Sequence, residues 1–135
     1  MADLQAHYDR ETRRLVRILR RLDPERIIRF GSASRENLNP DSDLDLCILI
    51  ERRLEEPSFR LKQRLFKFLF QRGYRYPVPV DLHVYTPAEF LERLARGDPF
   101  VQEIVQGEVI YDREWRSDRG HVAAEGRRGP GMRPA

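Results

Sequence analysis

The sequence predicts a small α/β (α+β) domain, a mixed β-sheet with helices packed against it. Three observations predict this. Short apolar runs rich in β-branched residues recur at residues 26–30, 43–50 and 78–85. Helix-periodic segments lie before and between them. Each changeover is punctuated by a turn or cap signal: Asp23-Pro24, Gly31-Ser32, Asn39-Pro40, Gly73, Asp98-Pro99 and Gly107. A length of 135 residues suits one domain, expected over residues 1–112. A basic tail over 113–135, with Gly-Pro-Gly, paired Arg and little apolar content after Trp115, reads as disordered.

The first helix is expected over residues 4–22. Leu4, Tyr8, Leu15, Ile18, Leu19 and Leu22 share one face, and Arg10, Arg13, Arg14, Arg17, Arg20 and Arg21 gather on the other as a solvated face. The strand 26–30 stops at Gly31-Ser32, a residue free to take positive φ followed by a small hydroxyl residue suited to cap a helix. Asn39-Pro40-Asp41-Ser42 has turn chemistry, and strand 43–50 follows. A helix over 57–72 ends at Gly73. Leu61, Leu65, Phe68 and Leu69 form its core stripe. Phe59, Phe66 and Phe70 lie on an adjacent stripe that is extra core or, if exposed, a partner surface. After strand 78–85, Thr86-Pro87-Ala88-Glu89 opens a third helix with an N-cap, a first-turn Pro and an acid at N3. Asp98-Pro99 opens a fourth, and a last short strand spans 109–111.

Chemistry concentrates between Gly31 and Asp81. A strand–Gly-Ser–helix junction aims backbone N–H groups and the positive end of a helix dipole at whatever lies above it, a place suited to phosphate. Asp43 and Asp45 project from one strand face while Leu44, Leu46 and Ile48 face the other way. Two carboxylates about 7 Å apart along a strand repel unless a cation lies between or beside them. Asp81 is a third acid in mid-strand, where burial without a partner is costly. If its strand lies beside that of Asp45, three carboxylates converge on one metal cluster. His7, His83 and His121 are too scattered for a zinc site, and His83, on the same face as Asp81, is expected to pack.

Composition narrows the alternatives. The net charge of +3 comes from the tail, where six arginines face three acids; residues 1–112 hold nineteen basic and nineteen acidic residues. A body of zero formal charge argues against a nucleic-acid-binding protein. With 35% charged residues and no long apolar run, a membrane span is not expected, nor is a signal peptide at the N-terminus. The one cysteine, Cys47, suits a small core residue in a reducing cytoplasm.

Gly31, Ser32, Asp43, Asp45 and Asp81 match the pattern G-S-x10-D-x-D with a later acid, and the chain from about residue 10 to 112 resembles the minimal nucleotidyltransferase family of the DNA polymerase β-like superfamily. Arg35 and Pro40-Asp41-Ser42-Asp43 stand where that family has its arginine and its turn. So do the segments 80–90 and 100–111 where it has its later parts. Ala33 and Glu36 depart from it, replacing the usual Arg and Gly. The resemblance implies a polymerase β-like fold and two Mg2+ ions on Asp43, Asp45 and Asp81, with Asp81 also able to accept a proton. It implies ATP on Gly31, Ser32 and Arg35. It further implies transfer of AMP to an acceptor hydroxyl, in first place a tyrosine of a HEPN-type toxin, which makes the chain the antitoxin of such a module. The competing readings are a small-molecule nucleotidyltransferase of the aminoglycoside type, which would need an extra helical domain or a homodimer, and an antitoxin that acts by binding alone.

Overall fold

The computed structural model describes residues 2–34, 38–57 and 59–118. Its strands are β1 (Arg26–Phe30), β2 (Leu44–Leu49), β3 (Val80–Tyr85) and β4 (Glu108–Asp112), joined in the order β3-β2-β1-β4. β1 runs antiparallel to β2 and to β4, whereas β2 and β3 are parallel. The helices are α1 (Ala2–Leu19), α2 (Arg60–Gln71), α3 (Pro87–Ala95) and α4 (Pro99–Val105). A parallel pair needs a crossover, and α2 supplies it between β2 and β3. The expected mixed sheet with helices against it is what forms.

Side-chain alternation divides the core between the two sheet faces. On one, Ile27, Leu44, Leu46, Ile48 and Leu82 pack with Tyr8, Leu15 and Leu19 of α1 and Leu61, Leu65 and Leu69 of α2. On the other, Ile28, Phe30, Cys47 and Leu49 pack with Phe90, Val101 and Ile104. The acids at positions 45 and 81 share this second face, beyond the edge of its smaller core.

Element ends follow local chemistry. The last turn of the first helix tightens to a 3-10 turn at Arg20–Leu22, and Asp23 closes it at φ 59°, donating its N–H to Arg20 O. α2 starts at Arg60, later than the sequence suggests, and its N-cap residue Phe59 offers no side-chain bond. Three fully buried leucines, each contributing about 1.5–3 kcal/mol, outweigh a missing cap of about 1 kcal/mol. α3 carries the expected capping box: Thr86 Oγ1 accepts from Glu89 N–H, and Glu89 Oε1 accepts from Thr86 N–H, both at 3.0 Å. Asp98 caps α4 by accepting from Phe100 and Val101 N–H. After β4 the chain forms a 3-10 turn at Arg113–Asp118; the rest of the tail lies outside the described residues. The arginine-rich face of α1 is exposed, as expected.

Arg29 is the charged residue that ties these layers together. Buried beside α1, it donates to Asp9 at 2.8 Å, Thr12 at 3.1 Å and, across the sheet, Glu108 at 3.1 Å. Among the described residues, no helix is long and apolar enough to cross a membrane.

Candidate active site

Strand β1 delivers the chain into Gly31, which sits at φ 78°. A Cβ at this position would run into the Asp45 carboxylate, so glycine is required both by its backbone angle and by the close approach of Asp45. Ser32–Ser34 form one 3-10 turn, in which Ser34 donates N–H and Oγ–H to Gly31 O at 3.0 and 2.9 Å. The helix dipole expected after Gly-Ser is therefore not formed among the described residues, because three residues in a 3-10 turn align few peptide dipoles. What the turn can offer an anion is backbone N–H groups and the half-buried Ser32 hydroxyl. Ala33 is fully buried in the core and its carbonyl accepts from Gln5, so this position does not face the site as a phosphate-binding arginine would. Arg35 and Glu36 lie outside the described residues.

The turn before β2 is pinned from α1. Tyr8 Oη donates to Ser42 O at 2.6 Å and approaches Pro40 O at 3.3 Å. Ser42 Oγ accepts from Asn39 N–H, and Asn39 Oδ1 accepts from Asp41 N–H. Burial, then the charges of Asp41 and Asp43, push the Tyr8 phenol above its ordinary value and keep it a donor. Asp43 follows this turn, exposed, one residue before β2 begins.

The parallel register does the assembling. Leu44 N–H bonds Pro79 O at 2.7 Å, and the pairing that follows sets Asp45 opposite Asp81 and Cys47 opposite His83. His83 Nε2 lies 3.4 Å from Asp45 Oδ1 and 3.4 Å from Asp81 Oδ2. One ligand atom from each of Asp45, Asp81 and His83 falls within 4.8 Å of the others. Lys62 of α2 reaches around the β3 edge to place Nζ 3.7 Å from Asp81 Oδ1. Strand alternation thus brings Asp45 and Asp81 together with His83 in the third place, whereas Asp43, exposed before β2, is not one of the three residues of that group.

His83 is the residue sequence reasoning undervalued. It does pack, with ring centroids 5.1 Å from Phe30 and 5.2 Å from Phe100, but the same position holds its Nε2 at both carboxylates. The signal was available in the two-residue spacing from Asp81, which puts both on one face. Lys62 carried no such signal, since only the crossover of α2 over the sheet brings it to Asp81. Cys47 is fully buried, and burial pushes its thiol up to about 12, so it takes no part as a nucleophile or thiolate ligand.

Two carboxylates held face to face, one of them pressed against a bare glycine, fit a divalent cation by charge and donor type. Oxygen donors suit Mg2+ and the imidazole extends the set toward Mn2+. A family model described as a nucleotidyltransferase domain matches residues 12–112. Comparison with curated proteins finds no match, nor does comparison with solved structures. The matched span is well over half of the chain and includes Gly31, Ser32, Asp43, Asp45, Asp81 and His83, and the chain therefore belongs to the nucleotidyltransferase domain family.

Proposed function

We propose that this protein is a metal-dependent nucleotidyltransferase that moves AMP from ATP to a protein hydroxyl, a tyrosine of a HEPN-type toxin, and so acts as the antitoxin of that pair. The observation that carries the catalytic half is the in-register pair Asp45–Asp81, capped by His83 and set against Gly31. Asp45, Asp81 and Asp43 are the carboxylates for Mg2+, with His83 as an added nitrogen donor. Bound there, the metal supplies charge neutralisation for the triphosphate and lowers the pKa of an acceptor hydroxyl.

The reaction is attack of an acceptor oxygen on the α-phosphorus, with cleavage of the bond to the β-phosphate and release of pyrophosphate. Backbone N–H groups of the Gly31-Ser32 turn and the Ser32 hydroxyl donate to the phosphates. Arg35, three positions after Ser32 in the sequence, supplies positive charge. Asp81 Oδ2 takes the acceptor proton. Positioning and charge stabilisation account for most of the rate.

A protein acceptor is supported by α2. Phe59 and Phe70 are 69% and 79% exposed on this helix, whose Lys62 touches Asp81, so an aromatic and basic surface adjoins the site. The test is incubation with α-labelled ATP, Mg2+ and a purified HEPN-type toxin. Label is expected on a toxin tyrosine and absent with Asp81→Asn. Label on an aminoglycoside or another small hydroxyl compound instead selects the small-molecule reading. Neutralisation by Asp45→Asn without any label selects antitoxin action by binding alone.

A further inference from the structure

We propose that Phe100, held against His83 and Phe30, is the stacking face for the base of the bound nucleotide. The inference deepens the proposed function and rests on its reading of the site as a triphosphate site. Phe100 stands in the first turn of α4, where its N–H bonds the Asp98 carboxylate at 2.9 Å and Val101 and Ile104 anchor the helix in the core. Three rings meet there. Phe100 lies 5.7 Å from Phe30 and 5.2 Å from His83, and Phe30 lies 5.1 Å from His83, all edge-on or tilted, so the group is rigidly braced.

The rings differ in what they show to solvent. Phe30 is 3% exposed and serves as support, whereas Phe100 is 39% exposed. Among the described residues, the other exposed aromatic side chains, Phe59, Phe70 and Tyr76, have no ring contact with a residue of the acidic cluster. Phe100 alone among them is joined to it, through the imidazole whose Nε2 faces both carboxylates. Phe30, its other support, is bonded directly to Gly31 and paired with Asp45. A ligand with phosphates on the Gly31 turn therefore has its base beside this face. The acceptor is left the opposite side, where Lys62 and α2 border Asp81. Every base has a π-face, so such a platform recognises a nucleobase without hydrogen-bond readout and favours the larger purine surface.

The experiment measures binding of ATP and of inorganic tripolyphosphate to the full chain by calorimetry with Mn2+ present. Wild type is expected to bind ATP more tightly than tripolyphosphate. Phe100→Leu, which keeps apolar volume without a π-face, is expected to lower ATP affinity roughly 5- to 150-fold, the loss of one base–aromatic stack, and to leave tripolyphosphate unchanged. Phe100→Trp is expected to keep ATP affinity, which separates stacking from any loss of fold. Unchanged ATP affinity in Phe100→Leu, or an equal fall for both ligands, overturns the assignment. So does a change confined to the KM of the acceptor. Failure of wild type to bind either ligand overturns the triphosphate reading itself, an outcome distinct from failure of the stack.

Discussion

Asp45 and Asp81 face each other across the parallel pair of β2 and β3, two carboxylates in register on one face of the sheet. Like charges directly opposite on a sheet destabilise it, so this pairing is a feature a fold alone would not favour. Asp45→Asn is therefore predicted to lower nucleotidyl transfer by at least about 100-fold, a loss in the range set by transition-state charge stabilisation. In metal-free buffer the same variant should melt at or slightly above the wild-type temperature. The rise in melting temperature that Mn2+ gives wild type should disappear. A variant that melts several degrees lower without metal would mark Asp45 as a structural residue.

Gly31 and Asp45 are matched in a second way. Alanine at position 31 meets two penalties: a left-handed backbone at φ 78°, about 1–2 kcal/mol for a residue with a Cβ, and collision of that Cβ with the Asp45 carboxylate. Gly31→Ala should lose stability by at least that amount and should also displace Asp45, weakening metal binding. Thermal melts with and without Mn2+ check both. Ala at a position of ordinary backbone need would cost stability alone, so retention of full metal affinity would show that Asp45 does not depend on the glycine.

The strands and most helix ends were legible because the physical signals are local: apolar, β-branched runs at 26–30 and 78–85, the Thr86–Glu89 capping box, and the cap at Asp98. The site was legible to the extent that alternation reaches. It places Asp43 with Asp45 on a face of one strand and Asp81 with His83 on a face of the other, but which residue of β3 opposes Asp45 is set by the Leu44–Pro79 bond and the α2 crossover, which are tertiary. The two-residue spacing puts His83 on the face of Asp81, but that its Nε2 reaches both carboxylates depends on the same tertiary register. Among the described residues the junction after Gly31 is a 3-10 turn, Ser32–Ser34, with Ala33 in the core, and so few peptide dipoles align there.

The imidazole makes a prediction about metal choice. Carboxylate oxygens alone suit Mg2+, whereas an imidazole nitrogen shifts a site toward later divalent ions. With His83 Nε2 at 3.4 Å from both carboxylates, the protein should bind Mn2+ more tightly than Mg2+. His83→Phe should preserve the packing with Phe30 and Phe100 while narrowing the difference between the two ions. Titration calorimetry of both metals against both proteins is the check. An unchanged Mn2+ preference in the variant would remove His83 from the ligand set.

Cys47 lies in the middle of β2, fully buried between its register partners Ile28 and His83. Burial disfavours the thiolate and pushes the thiol up to about 12, against about 8.5 for a free cysteine. The sign follows: the buried neutral thiol contributes its full stability below about pH 8.5, and that contribution is lost as pH climbs toward 12. Cys47→Ala should be the less stable protein at pH 7 because it leaves a small cavity. Above pH 9 its disadvantage should shrink by up to about 1.4 kcal/mol per pH unit, because the wild-type chain alone must keep a thiol protonated in order to stay folded. Denaturant melts at pH 7, 9 and 10 would show this, and a gap that stays constant would refute it. In native protein at pH 8 the thiol should also resist a thiol-directed reagent that labels it fully in denaturant, since the folded chain offers neither access nor thiolate.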